Sequence, residues 1–114
     1  MRVTDAKRIK LFKDDKFLYY PSVDVLFNSV AEVYAPKAMG IILTGIGKDG
    51  AEGLLKMKQR GCQTVAESKE TAIVYGMPME ARDIGATNKI LPSHKIAREI
   101  NRTIIEFKNR FKER

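Results

Sequence analysis

The tightest constraint on this chain is one glycine-punctuated block, Met39-Gly40-Ile41-Ile42-Leu43-Thr44-Gly45-Ile46-Gly47-Lys48-Asp49-Gly50-Ala51. A short continuous apolar run, of the kind found in strands buried on both faces, meets a sharp glycine turn and then a helix start. Such strands belong to parallel sheets, parallel strands need crossover helices, and open sheets of this kind bind ligands at the carboxyl ends of their strands. The loop satisfies Gly45-x-Gly47-x-x-Gly50, and Glu67 ends the following strand where a ribose-binding acid could stand, so a dinucleotide-binding module is one reading. Asp49 weighs against it. A carboxylate beside the third glycine competes with a pyrophosphate for the helix N-terminus, whereas an Asp there can itself be the anion the dipole stabilises. A tight β–α turn whose glycines merely relieve sterics is a third reading.

The flanking sequence continues the alternation. Arg8–Phe12 and Phe17–Tyr20, joined by Lys13-Asp14-Asp15-Lys16, read as an N-terminal β-hairpin. Residues 22–35 read as a helix with Ser22 as N-cap, Asp24 in the first turn, and Val23, Phe27, Val30 and Tyr34 as a buried stripe. Ala51–Arg60 is the helix after the loop, closed by Gly61, and Cys62–Glu67 is the next strand. Met79–Ile84 offers one or two helical turns after Pro78, and Asn88–Leu91 a last short strand. Pro92-Ser93 opens a long C-terminal helix with Ser93 as cap and Ile96, Ile100, Ile104, Phe107 and Phe111 as its apolar stripe. The expected architecture is α/β: a doubly wound, mostly parallel sheet of Rossmann-like form with right-handed crossovers, carrying the hairpin and the long helix at its ends.

Charge narrows the function classes. The chain has 114 residues, 21 basic and 14 acidic, for a formal +7. Residues 1–20 hold +3 and residues 93–114 hold +4, so 21–92 is neutral. The excess lies at the two ends; the C-terminal helix is the only candidate for a nucleic-acid surface, and its charge reads as a solvated outer face rather than a nucleic-acid partner. No apolar run is long enough for a membrane span, and one cysteine, Cys62, cannot form an internal disulfide, which suits a reducing cytoplasm. That cysteine and one histidine, His94, make no Cys/His cluster for zinc. No cofactor or metal is expected.

Three segments, Pro21-Ser22-Val23-Asp24-Val25-Leu26-Phe27, Ile42 through Leu54, and Val74-Tyr75-Gly76-Met77-Pro78-Met79-Glu80-Ala81, strongly resemble three blocks, in family order, of the catalytic domain of the CheB-type chemotaxis methylesterases. The resemblance runs over essentially the whole chain and implies hydrolysis of glutamate methyl esters, and deamidation of glutamines, on methyl-accepting chemotaxis receptors by a Ser-His-Asp triad. It maps the triad acid onto Asp49, places the Gly45, Ile46 and Gly47 backbone as candidate oxyanion donors, and makes Tyr75, Gly76, Met77 and Pro78 candidates for the substrate cleft. The family's Ser and His belong to motifs preceding the Pro21 block, and no Gly-x-Ser-x-Gly-like turn occurs in this sequence. His94 does not match the catalytic position, and activity of the chain alone is therefore doubtful. The chain is expected to be the C-terminal portion of one methylesterase domain, without its N-terminal part or a receiver domain, and to pack against that missing part or a second copy of itself. A non-catalytic assembly module is the alternative. Two departures stand out: Ile46 where the family favours Met, and Met79 where an Arg is usual.

Overall fold

A computed structural model describes residues 1–10 and 22–111. Among them, three strands form a parallel sheet in the order β3-β4-β5: β3 (Met39–Ile42), β4 (Gln63–Glu67) and β5 (Lys89–Leu91). Gly40 aligns with Thr64 and Ile42 with Ala66, while Val65 aligns with Lys89 and Glu67 with Leu91. The central strand β4 is buried from Thr64 through Glu67. That is the pattern expected of a parallel strand covered on both faces.

Side-chain alternation sorts the helices onto those faces. Helix α2 (Ala51–Gln59) crosses from β3 to β4 and covers the Gly40–Ile42 face, where Leu54, fully buried, joins Ile42, Ala51, Ala81 and Ala86 in the main core. The approach is close: a Cβ on Gly40 would lie 2.5 Å from Leu54 Cδ1. Helix α3 (Met77–Asp83) crosses to β5 and adds Ala81 to that core. Helix α1 (Val23–Val33) packs outside α2, where Ala31, Met57 and Cys62 form a second cluster with Phe27 and Val30 against it. Burial pushes the Cys62 thiol pKa up, which suits a packing role better than a reactive one. The long α4 (Ser93–Arg110) takes the opposite face, since its Glu99 pairs with Lys89, the register-mate of Val65. Helices on both faces of a parallel sheet make the fold doubly wound and Rossmann-like, as the alternation in the sequence implies.

Several local expectations need correction. The antiparallel ribbon pairs β1 (Arg2–Val3) with β2 (Ile9–Lys10), earlier than expected; the second expected strand, 17–20, and its turn lie outside the described residues. In α1 the fully buried positions are Ser29 and Ala31, and the expected stripe is half-buried. Ser29 is buried because its hydroxyl accepts the Val3 N–H at 2.7 Å and donates to the Leu26 carbonyl at 2.7 Å, tying the ribbon to the helix. Strand β3 ends at Ile42, leaving Leu43 exposed. Gly61 does close α2, with φ 90°. Pro92, not Ser93, is the N-cap of α4, and the Ser93 N–H donates instead to Thr71 Oγ1 at 2.8 Å.

The inward face of α4 is also more polar than its stripe suggests: Ile96, Glu99 and Thr103 are buried, while Ile104 is 47% exposed. Glu99 makes this tolerable by pairing with Arg102 at 2.5 Å and Lys89 at 2.9 Å. The hydrogen bond from Arg102 leads in holding its carboxyl down to about 2, against the opposing pull of desolvation and with further help from Lys89. A carboxylate held below its unfolded value stabilises the fold fully above that value and loses the contribution as pH falls toward 2. Glu99→Gln is therefore expected to lower the melting temperature at neutral pH, by the equivalent of ~1 kcal/mol given two partly exposed cations. It should also flatten the decline between about pH 5 and 2. Thermal melts across that range check it; an acid limb as steep as the wild type's would remove the assignment.

Candidate active site

The site is assembled where β3 and β4 end. Gly50 takes φ 100°, a left-handed conformation that admits glycine readily, and so turns the chain from the loop into α2. It has no side chain to cap the helix. Asp24, in the first turn of α1, supplies the cap from outside: its Oδ1 accepts the N–H of Gly50 at 3.0 Å and of Gly53 at 2.8 Å.

Asp49 is buried, 9% exposed, and its carboxylate turns to α1 rather than to the helix it precedes. Oδ2 accepts the Val23 N–H at 2.8 Å; Oδ1 accepts the Asp24 N–H at 3.0 Å and the Ser22 hydroxyl at 3.2 Å. Ser22 is the N-cap of α1, as its sequence position suggests, with its hydroxyl also accepting from Val25 N–H at 3.4 Å. Asp49 thus accepts at the start of α1, not of the helix it precedes, and Asp24 occupies the start of α2. Both aspartates sit against dipole ends that favour negative charge.

The loop before Asp49 is clamped to the segment before α3. The Gly45 N–H donates to the Val74 carbonyl at 3.0 Å, and the Gly45 carbonyl accepts from Gly76 at 3.0 Å and Met77 at 2.9 Å. Gly45 and Tyr75 form a parallel β-bridge. Thr44 closes the clamp: its hydroxyl accepts the Val74 N–H at 2.7 Å and donates to the Val74 carbonyl at 3.2 Å. Glu67, 5% exposed, holds Thr44 in turn, accepting its N–H at 2.9 Å and the Thr71 hydroxyl at 2.8 Å. In the sequence Glu67 stands where a ribose-binding acid could, and this brace is not visible there; a strand-terminal acid followed four residues later by Thr71 is the signal that could have found it.

These bonds test the dinucleotide reading directly. The N–H groups of Gly50 and Gly53 are occupied by Asp24, and Glu67 is buried and bonded to Thr44 and Thr71, which weighs against a pyrophosphate at the first and a ribose at the second. Among the cleft candidates, Pro78 is fully buried at the start of α3. Met77 packs against the main core and beneath Gly45. Tyr75 is half-buried, with Arg82 donating to its hydroxyl at 3.3 Å and lying 5.6 Å from its ring. Around them Leu43, Ile46, Ile73, Val74 and Met79 are exposed, Ile46 to 81% and Ile73 to 90%. His94 is exposed in the first turn of α4, and the carboxylate of Asp49 is satisfied by Ser22, Val23 and Asp24 instead. Among the described residues no group of three or more His, Cys, Asp or Glu could hold a metal, and no helix is long and apolar enough to cross a membrane.

An open, doubly wound α/β domain with a buried carboxylate and a braced glycine turn at the carboxyl ends of its strands defines the class. The chain belongs to the CheB methylesterase family, whose model matches residues 1–100. It is 48% identical over 98 residues to a protein-glutamate methylesterase/protein-glutamine glutaminase of Cupriavidus metallidurans, covering 85% of this chain and 29% of that protein. A relative of the same name from Agrobacterium fabrum is 54% identical over 80 residues, covering 70% of this chain and 23% of the relative. The crystal structure of the Thermotoga maritima CheB methylesterase catalytic domain matches with a TM-score of 0.68 at 41% identity, over 70% of this chain and 42% of that one. The chain therefore spans less than a third of the curated relatives' length.

Proposed function

We propose that this chain supplies the acid of a Ser-His-Asp hydrolase that demethylates glutamate methyl esters, and deamidates glutamines, on chemoreceptors. The observation that carries the reading is Asp49: a buried carboxylate fixed by three donors at the end of β3, beside a glycine turn. In a triad the acid must stay ionised, hold an imidazole in one tautomer and stabilise the imidazolium; it does not take up the proton itself. Its oxygens must therefore be pre-aimed, which the Val23 and Asp24 amides accomplish. The Ser and His come from outside this sequence, in the remaining part of a methylesterase domain, and the unpaired outer edge of β3 among the described residues is where such a part would join.

The oxyanion expectation narrows. Gly45 spends its N–H on Val74, so the developing oxyanion falls to the N–H of Ile46 or Gly47, held in place by the Gly45–Val74–Gly76 clamp. Only the backbone acts there, so Ile in place of Met matters little. The exposed Ile46, Ile73, Val74 and Met79 leave apolar surface on the loop segments for a receptor to meet. With Met79 neutral, cationic help on α3 comes from Arg82, which is shared with Asp83 at 2.7 Å.

The test is a fused domain: residues 1–100 of this chain joined to the portion of the Thermotoga maritima catalytic domain that it does not cover. Methanol release from methylated chemoreceptor is expected. A folded fusion that releases none overturns the reading, and a rise in melting temperature on adding NAD would favour the dinucleotide alternative.

A further inference from the structure

Asp24 belongs to α1 by sequence, yet its carboxylate serves α2, at the N-cap Gly50 and at Gly53. Asp49 returns the exchange, taking the amides of Val23 and Asp24 at the start of α1. The two carboxylates tie both helix starts together, and the Asp49–Gly50 junction is held from each side. We propose that Asp24 is a positioning residue for Asp49: by fixing the Gly50 and Gly53 amides it sets the backbone from which Asp49 projects, and so the aim of its carboxylate. This rests on the reading of Asp49 as the catalytic acid.

The arrangement carries an electrostatic cost. Burial first, and the charge of Asp49 among the lesser causes, push the Asp24 carboxyl above its ordinary range, although the Gly53 and Gly50 amides pull the other way. Two neighbouring anions are an expensive way to cap a helix, and such costs concentrate at functional sites. Ser22 is a junior partner in the same design, since its hydroxyl spans Asp49 Oδ1 and the Val25 amide.

In the full chain, the 13Cγ resonance of Asp49 and the amide of Val23 report the aim of Asp49. Neither is among the partners of the Asp24 carboxylate, yet Asp24→Ala is expected to shift both, while Asp24→Asn, which keeps an acceptor, returns them near their wild-type positions. Asp24→Glu keeps the charge but displaces the acceptor, and it replaces the Ala variant if that one does not fold. Unmoved Asp49 and Val23 signals in a folded Ala or Glu variant overturn the proposal. In the fused domain the same displacement is expected to lower kcat about 10²-fold with KM held, the scale of a small misplacement of a catalytic group. Asp24→Asn should recover most of that loss. A lower melting temperature with unchanged kcat per folded molecule would reduce Asp24 to a cap and overturn its positioning role. Failure of the underlying reading looks different: Asp49→Asn would then keep its turnover, whereas failure of positioning alone leaves Asp49→Asn inactive and Asp24→Ala active.

Discussion

Asp49→Asn in the fused domain is expected to cut kcat by about 10⁴-fold and to lower stability by roughly 1–3 kcal/mol. An Asn keeps the shape but only one acceptor: with its oxygen on the Asp24 N–H, which Oδ1 accepts at 3.0 Å, its NH2 replaces Oδ2 and meets the Val23 N–H, which Oδ2 accepts at 2.8 Å. Two things are lost: the negative charge that stabilises an imidazolium, and the acceptor-only character that selects its tautomer. With the amide group turned toward the imidazole, the ring is held with its donor and acceptor nitrogens exchanged, and the nucleophile loses its base. The NH2 facing the Val23 N–H lowers stability, and relief of the repulsion between Asp49 and Asp24 offsets only part of that loss. Methanol release and a thermal melt on the same sample separate the two effects. Wild-type turnover would sink the assignment, and a collapsed melt would show Asp49 to be primarily a helix cap.

What the sequence reveals depends on how local the determining physics is. The parallel strands, the glycine loop and the helices were readable because each is written in a contiguous pattern: the apolar run at Met39–Leu43, the cap Ser22, the closing Gly61. The position of Asp49 beside a helix start points to a capping carboxylate, but not to which helix it serves. That choice is made by the approach of α1 and α2, and nothing in a linear pattern says that residues 24 and 49 trade partners over 25 positions. The inward face of α4 misled for a related reason. Of its stripe only Ile96 is buried, while Glu99 pairs with Lys89 on β5 and Ile104 is partly in solvent, a placement that depends on a residue of another element. The position of Glu67 at a strand end is one that ligand-binding acids share; only the placement of Thr44 and Thr71 shows it bracing the loop.

Gly76 offers the other large effect, and it joins the fold to the chemistry. Its backbone is an ordinary right-handed one, φ −94°, so conformational freedom is not why glycine stands there. Space is. A Cβ on Gly76 would lie 2.7 Å from the Gly45 carbonyl oxygen, 3.1 Å from Ile46 Cα and 3.2 Å from the Gly47 nitrogen. All three are backbone atoms, which cannot swing aside as the end of a side chain can. Gly76→Ala must therefore part the two segments and strain the bonds from Gly76 and Met77 to the Gly45 carbonyl. Forcing a methyl into so close a contact costs roughly 1–3 kcal/mol. The functional loss should exceed what the melt alone suggests, because the displaced atoms carry the Ile46 and Gly47 amides. Losing one aligned oxyanion donor lowers kcat by roughly 10²–10³-fold. The fused domain with Gly76→Ala, assayed well below its melting temperature, is expected to bind methylated receptor with near-normal KM and turn it over in that reduced range. Full kcat in the folded variant would mean that the oxyanion donors lie elsewhere, and that the clamp between the Gly45 loop and the Tyr75 segment serves stability alone.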